Sequence, residues 1–360
     1  MEKQKYYTTT NIDRTGAIYR IIIGERSNGK TTSVLLGSLL EFINSGYSNA
    51  SAYIRRYRED TREFGNVCTN LVALKRVEKH TKGKYNAIRY YRRERKLAKI
   101  NDKGELIEMC PNTFMYGFCL SESDRIKSTS YPRITRIIFD EFLSRDLYLK
   151  DEFILFQSVI STIVRERDNV VIYMLGNTVN KYCPYFEEMG LYNIKKQKRD
   201  TIDIYEMGKN GTTKVAVEYC DTIRKKSDIY FAFNNPRLTM ITEGSWEIDI
   251  YPHLPLKYER KHKIFSYYMD FKGELLECEV ISLDDNLFTY IHRKTTPIVE
   301  DIYPVYSTKF NAKLNYSNSI FNPRNKVEKF ILGFFNDNKV CYQTNEIGEI
   351  VRNFLNIMKK

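Results

Sequence analysis

Three groups of residues in this chain carry types and spacings that could do chemistry. The first is Gly24-Glu25-Arg26-Ser27-Asn28-Gly29-Lys30-Thr31, which fits G-x-x-x-x-G-K-[ST] and follows the apolar run 17–23. A loop of this kind wraps backbone N–H groups around a phosphate; its glycines permit the backbone angles and close approach, and the following helix dipole favours the anion. Lys30 would reach the outer phosphates as a point charge, and Thr31 would offer its hydroxyl to Mg²⁺. The loop residues 24–31 and the adjoining Thr32 are thus the candidate nucleotide contacts. The second group is Asp140-Glu141, at the end of the apolar segment Ile134–Phe139. An aspartate there would hold the Mg²⁺ water shell, and the next carboxylate, one residue further out, would polarise a water attacking the terminal phosphate. The third is Asn177, after the apolar run Val170–Leu175. It would sit at the carboxyl end of a strand, where open α/β sheets bind ligands. It could sense the terminal phosphate there, or simply be an asparagine favoured by a strand-to-loop turn.

These groups need a scaffold. Ile21, Ile22 and Ile23 suit a buried parallel strand, and Val34, Leu35, Leu39, Phe42 and Ile43 predict a helix over 31–44. Residues 51–58 read as a short strand running out into arginines. A helix is expected over about 149–164, with a stripe of Phe153, Phe156, Ile160, Ile163 and Val164. The strand at 170–175 should lie beside the acidic one. Residues 75–99 hold eleven Lys/Arg against Glu78 and Glu94. A hairpin is expected there, from Ile88–Tyr91 and Leu97–Ile100 with Asn101–Gly104 as its turn. This basic stretch is either a DNA-contacting surface or a solvated face.

Sheet patterning fades after Tyr185, and the stretch 194–226 is charged, with a turn at 208–211. From about 245 a β-meander is expected (264–271, 275–281, 287–292), its turns at Lys272-Gly273 and Asp284-Asp285-Asn286, closed by amphipathic helices at 326–336 and 345–359. A length of 360 residues fits two domains, and 42% hydrophobic residues supply a sizeable core. The formal net charge of +12 favours a polyanionic partner, nucleic acid first and a membrane surface second. No apolar run approaches a bilayer span, and the first seven residues have no signal-peptide core. The seven cysteines are scattered without a C-x-x-C pair, which disfavours disulfides and zinc and fits a reducing compartment.

Taken in order, these motifs resemble the DNA-packaging ATPases (encapsidation proteins) of small podoviruses of the phi-twenty-nine type. The likeness covers roughly the first 190 residues. It runs through Ile22-Ile23-Gly24 and the Arg26-containing loop, Tyr53-Ile54-Arg55-Arg56-Tyr57, Lys127-Ser128 before Tyr131-Pro132, Ile138-Phe139-Asp140-Glu141-Phe142, Val164-Arg165-Glu166-Arg167, Leu175-Gly176-Asn177 and Pro184-Tyr185-Phe186.

The resemblance implies an α/β fold: an additional-strand (ASCE) P-loop NTPase domain with a mostly parallel sheet (1–205), a linker subdomain (206–244), and a smaller α+β C-terminal domain (245–360) resembling a degenerate RNase H-like nuclease. It implies ATP and Mg²⁺ as cofactors, Lys30 and Thr31 as phosphate and metal ligands, and Asp140 and Glu141 as the metal-holding and catalytic acids. Arg165 matches an arginine finger given to the neighbouring subunit, and Lys127 a second cation near that interface; Arg167 or Arg26 are alternatives for the finger's role. The implied partners are double-stranded DNA and the portal vertex of a procapsid, with a structural packaging RNA as a further candidate. The implied assembly is a homopentameric ring, without a membrane, in the host cytoplasm and transiently on the procapsid. Competing readings are a terminase-like enzyme with an active nuclease, whose first ligand would be Asp270 near Glu274, Glu277, Asp284 and Asp285, and a nucleic-acid-binding protein with a regulatory ATP site.

Overall fold

The computed structural model describes residues 6–25, 28–57, 67–126, 129–144, 148–178, 180–208, 211–220, 251–254, 257–298 and 302–359. The chain divides into two compact units, Met1–Glu247 and Ile248–Lys360.

The first unit is built on one sheet. Its strands are β1 (Tyr19–Gly24), β2 (Ala50–Arg55), β3 (Ala87–Tyr91), β4 (Glu94–Ile100), β5 (Leu106–Met109), β6 (Met115–Cys119), β7 (Ile134–Asp140), β8 (Val171–Asn177), β9 (Thr201–Met207) and β10 (Thr213–Tyr219). The order is β3-β4-β6-β2-β7-β8-β1-β10-β9, with β5 on β4. The central run from β6 to β10 is parallel throughout. Such strands are covered on both faces, and their residues obey: Ile21, Ile22, Ala52, Ile54, Ile137, Ile138, Phe139, Tyr173 and Met174 are all buried. The helix Lys30–Asn44 starts directly after the glycine loop and buries Val34, Leu35, Leu39 and Phe42. A second helix, Glu152–Val164, crosses from the end of β7 towards the start of β8 and buries Phe156, Val159, Ile160 and Ile163. The strand bearing Asn177 does lie beside the acidic strand, with Phe139 opposite Met174 and Asp140 opposite Leu175.

Two expectations are corrected. The basic hairpin turns at Arg92-Arg93, because β3 pairs with β4 from Tyr91↔Glu94 to Ala87↔Ala98. The residues 101–104 instead lead β4 back along β5, Ala98 pairing with Met109. Arg92 carries the positive φ (53°) that a two-residue turn demands, without the glycine or asparagine that marks such turns in a sequence. The first sheet also runs past residue 205. Strand β10 pairs in parallel with β1, Ile21 opposite Val217, so residues expected to open a linker supply the strand flanking the glycine loop. The rest of that expected linker, from 221 on, lies outside the described residues.

In the second unit, β11 (Lys263–Phe271), β12 (Glu274–Leu283) and β13 (Asn286–Arg293) form the expected meander. Its second turn places Asp284 and Asp285 at positive φ (47° and 58°). Strands β14 (Val305–Ser307) and β15 (Tyr316–Ser317) add in parallel on the β11 side, and β16 (Val340–Tyr342) on the β13 side. The order in this sheet is β15-β14-β11-β12-β13-β16. Two helices follow, Lys326–Asn336 capped by Asn325 and Asn345–Met358 capped by Thr344.

Candidate functional site

At the carboxyl end of β1, β7 and β8 lies a cleft of about 1220 Å³. Asn28, Gly29, Lys30, Thr31, Thr32, Asp140, Glu141 and Asn177 line it, so one surface gathers residues far apart in sequence. Gly24 ends β1 beneath it. Gly29 precedes the helix at φ 93°, a left-handed conformation open to glycine at little cost.

Lys30 is buried, and its ammonium donates to the carbonyls of Gly24 and Glu25 and to Asn177 Oδ1 at 3.4 Å. Burial pulls its pKa down, while Cys220, Asp140 and Glu25 push the other way. Thr31 Oγ1 donates to Asp140 Oδ2 at 3.0 Å. The hydroxyl of Thr31 and the carboxylate of β7 are thus brought within direct reach, although 109 positions separate them. Tyr53, from β2, donates its hydroxyl to the same Asp140 oxygen at 2.8 Å. Burial first, and then Asp140, raises the phenol far above its usual range, so it stays a neutral donor. Asp140 also accepts from the Glu141 backbone N–H at 3.0 Å.

Glu141 turns out of the strand with φ 57°, and its carboxylate meets Arg55 Nη2 at 2.6 Å. Its side chain is 56% exposed, in contrast to the buried Asp140. The two carboxylates therefore play different physical parts: one fixed inside the site, the other at its mouth. Beyond Glu141, the chain packs tightly onto β8. A Cβ on Gly176 would lie 2.7 Å from Leu143 Cδ1 and 2.9 Å from Phe142 Cε1.

Arg165 sits elsewhere. It ends the helix Glu152–Val164 in a left-handed conformation, is exposed, and donates from its guanidinium to the Thr129 carbonyl at 3.3 Å. That end of the helix lies by the start of β7, on the order of 20 Å of strand from Asp140 at 3.3 Å per residue. Arg167 is committed to backbone: its guanidinium donates to the carbonyls of Tyr131, Pro132, Ile163, Val164 and Ile134. It holds the loop before β7 and is not free to act as a finger. Arg26, Ser27 and Lys127 lie outside the described residues. Among the described residues, the carboxylates of the competing nuclease reading form no metal-holding group. Asp270 pairs across to Leu275 and Ser307, Glu274 pairs with Arg293, and Glu277 with Lys263 and Lys294. Among the described residues, no group of three His, Cys, Asp or Glu side chains is placed to hold a metal.

Several contacts of the cleft escaped the sequence reading. Tyr53 and Arg55 carried part of the resemblance but no role; what brings them to Asp140 and Glu141 is the adjacency of β2 and β7, Ile54 opposite Phe139. The basic stretch 75–99 is partly consumed internally. Arg95 is 1% exposed with its guanidinium 3.5 Å from the Tyr90 ring centre, and Lys96 and Lys99 bind backbone carbonyls.

A phosphate loop after β1, an acidic pair at the end of β7, and β8 inserted between them define the additional-strand class of P-loop folds. The family model described as podovirus DNA encapsidation protein (Gp16) matches residues 1–211, and the chain belongs to that family. It is 28% identical over 179 residues to a DNA packaging protein of Bacillus phage B103, covering 48% of each chain. It is 25% identical over 210 residues to that of Bacillus phage phi29, covering 57% of this chain and 55% of the relative. The chain thus spans about half the length of the curated relatives it matches. Among solved structures it is similar in fold to the packaging motor assembly of bacteriophage Phi-29 (TM-score 0.56, 18% identity, 97% of this chain and 99% of that one). It is likewise similar to the Phi-28 gp11 DNA packaging motor (TM-score 0.53, 17% identity, 99% of both chains).

Proposed function

We propose that this chain is an ATP-hydrolysing motor that drives double-stranded DNA into a procapsid. The observation that carries the reading is the 3.0 Å contact between Thr31 and Asp140, which closes a phosphate loop onto the acidic end of the neighbouring strand system. A hydroxyl and a carboxylate together are the hard oxygen donors that Mg²⁺ takes in nucleotide sites. Thr31 and Asp140 would hold the ion, which supplies charge neutralisation to the phosphates when bound. Lys30, with Asn28 and Gly29, grips the phosphates. The nucleoside has room against Tyr6, Leu36, Asn70 and Leu74, which continue the cleft. Glu141 is the general base that polarises the attacking water. For that its carboxylate must leave Arg55, with which it pairs in this arrangement. Asn177, already bound to Lys30, aligns with the terminal phosphate at the end of β8.

Within its own described residues the cleft is lined by the cations Lys30, Arg56 and Arg76. Arg165, at the opposite end of the sheet, is the side chain we assign to a neighbouring subunit's site, in a ring that the family resemblance makes pentameric. An arginine given in trans is worth on the order of 10³ or more in rate. The portal vertex, and a packaging RNA where one is used, are the partners proposed for the assembled ring. The packaging role is supported by family membership and by the DNA packaging proteins to which the chain is similar. We assign the second unit a degenerate nuclease fold that contacts partners rather than cuts DNA, because Glu277 is paired with Lys263 and Lys294 and Glu274 with Arg293.

ATP turnover measured against increasing double-stranded and single-stranded DNA tests this reading. Stimulation by the duplex is expected. A rate indifferent to duplex would remove the motor assignment.

A further inference from the structure

The geometry points to Arg56 as a positioning residue that aims Glu141 by clamping the backbone around it. This rests on the reading of Glu141 as the base. Arg56 follows β2 and is 7% exposed. Its Nη2 donates to the Phe142 carbonyl at 2.8 Å and its Nη1 to the Glu141 carbonyl at 3.4 Å. Its Nε donates to Glu152 Oε2 at 2.8 Å, and the guanidinium lies 5.0 Å from the centre of the Tyr148 ring. Glu152, 2% exposed, is satisfied in turn by the Tyr185 hydroxyl at 2.9 Å and the Leu149 N–H at 2.8 Å.

A buried ion pair is a poor way to gain net stability, because desolvation offsets the attraction. What this one does supply is geometry. Glu141 is a non-glycine residue at φ 57°, a conformation that persists only where the surroundings over-determine it. Three constraints do so here. The Phe142 N–H donates to the Leu175 carbonyl at 3.2 Å, Phe142 and Leu143 pack against Gly176, and Arg56 holds the two successive carbonyls. Leu175 and Arg56 grip one and the same peptide unit, the first through the Phe142 N–H and the second through the Glu141 carbonyl, and of the three constraints Arg56 is the one that also holds the next carbonyl, that of Phe142. Glu152, at the first turn of the helix Glu152–Val164, fixes the guanidinium plane, so a single bidentate fork connects helix, strand end and base. Lysine has the charge without the fork and cannot serve both carbonyls and the carboxylate.

Arg56→Lys and Glu141→Gln, singly and combined, form the test, read as ATP affinity, kcat and KM in the presence of duplex DNA, with circular dichroism for folding. A base displaced by about 1 Å loses on the order of 10²-fold in rate. The expected result is therefore a fall of that size in kcat for Arg56→Lys, with ATP affinity within about threefold of the wild type. In the Glu141→Gln background, where no base is left to aim, Arg56→Lys should lower kcat no further. Unchanged kcat in the single variant, additive losses in the double, or a loss confined to ATP affinity would each overturn the assignment. If Arg56→Lys does not fold, Glu152→Gln takes its place in the same cycle with the same expected non-additivity. The reading of Glu141 as base is tested separately by the Glu141→Gln single variant: full turnover there removes the base whatever Arg56 does.

Discussion

Lys30 carries a charge that burial disfavours, and the carbonyls of Gly24 and Glu25 together with Asn177 hold it in place, where the proposed function has it meet a phosphate. Removing it takes away a charge-assisted contact. Lys30→Ala is accordingly expected to weaken ATP binding by about 10- to 100-fold, as read by titration with a fluorescent nucleotide; unaltered affinity would place the nucleotide elsewhere. That Lys30, Thr31, Asp140, Glu141 and Asn177 would line one cleft was legible in the sequence, because glycine, lysine and paired acids have few alternative uses in that order. Arg55, Arg56 and Tyr53 were not legible as site residues. Their roles depend on which strand lies next to β7, and residue type alone does not encode strand adjacency. Arg167 shows the reverse case: a plausible finger in the sequence, it is spent on five carbonyls. In the second unit, Glu279 is the residue whose charge state reports most on its surroundings. Burial raises its pKa, but hydrogen bonds from His292, Lys263 and Tyr258 outweigh this and hold it at about 2, below its ordinary 4.5. His292 moves the other way, raised above 6.5 by Glu279. By linkage, the Glu279 contribution to stability is complete above pH 4.5 and drains away as pH falls towards 2, whereas that of His292 is complete below 6.5 and fades above it. The wild type should thus lose its advantage over Glu279→Gln in thermal unfolding as pH falls from about 4.5 to about 2. An equal gap between the two proteins at both ends of that range would refute the assignment.

Among the elements, β8 is the one that does most to shape the site. It separates the phosphate loop from the acidic strand, presents Asn177 to Lys30, and provides at Gly176 the flat place on which Phe142 and Leu143 rest. Gly176→Ala forces those side chains aside. Overpacking of this kind costs about 1–3 kcal/mol, measured by denaturant unfolding, and ought to lower kcat more than ATP affinity, since the displaced segment follows Glu141. Periodicity revealed β1, β7, β8, the two principal helices and the whole meander, because long runs of one pattern have one reading. It missed the Arg92-Arg93 turn, which lacks glycine, and it missed that β9 and β10 belong to the first sheet. Strand β9 is an edge with exposed Ile204 and half-buried neighbours, so its pattern resembles charged connecting chain.

For the molecule as a whole, the proposed ring joins two ends of one sheet: the carboxyl end binds nucleotide, and the amino end carries Arg165 towards the next subunit. Subunits with Arg165→Ala and subunits with Lys30→Ala, each inactive alone, should recover partial turnover when mixed under exchange; no recovery would assign the transition-state cation to the same chain as its nucleotide. The charge of +12 fits a polyanionic partner, and no helix of the described residues is long and apolar enough to cross a membrane. The most direct test of the central claim takes Glu141→Gln beside the wild type, with duplex DNA present, and measures bound nucleotide and ATP turnover in the same samples. The account predicts full ATP occupancy in both and a fall of about 10²- to 10⁴-fold in turnover for the variant; turnover at the wild-type rate with ATP equally bound would contradict it.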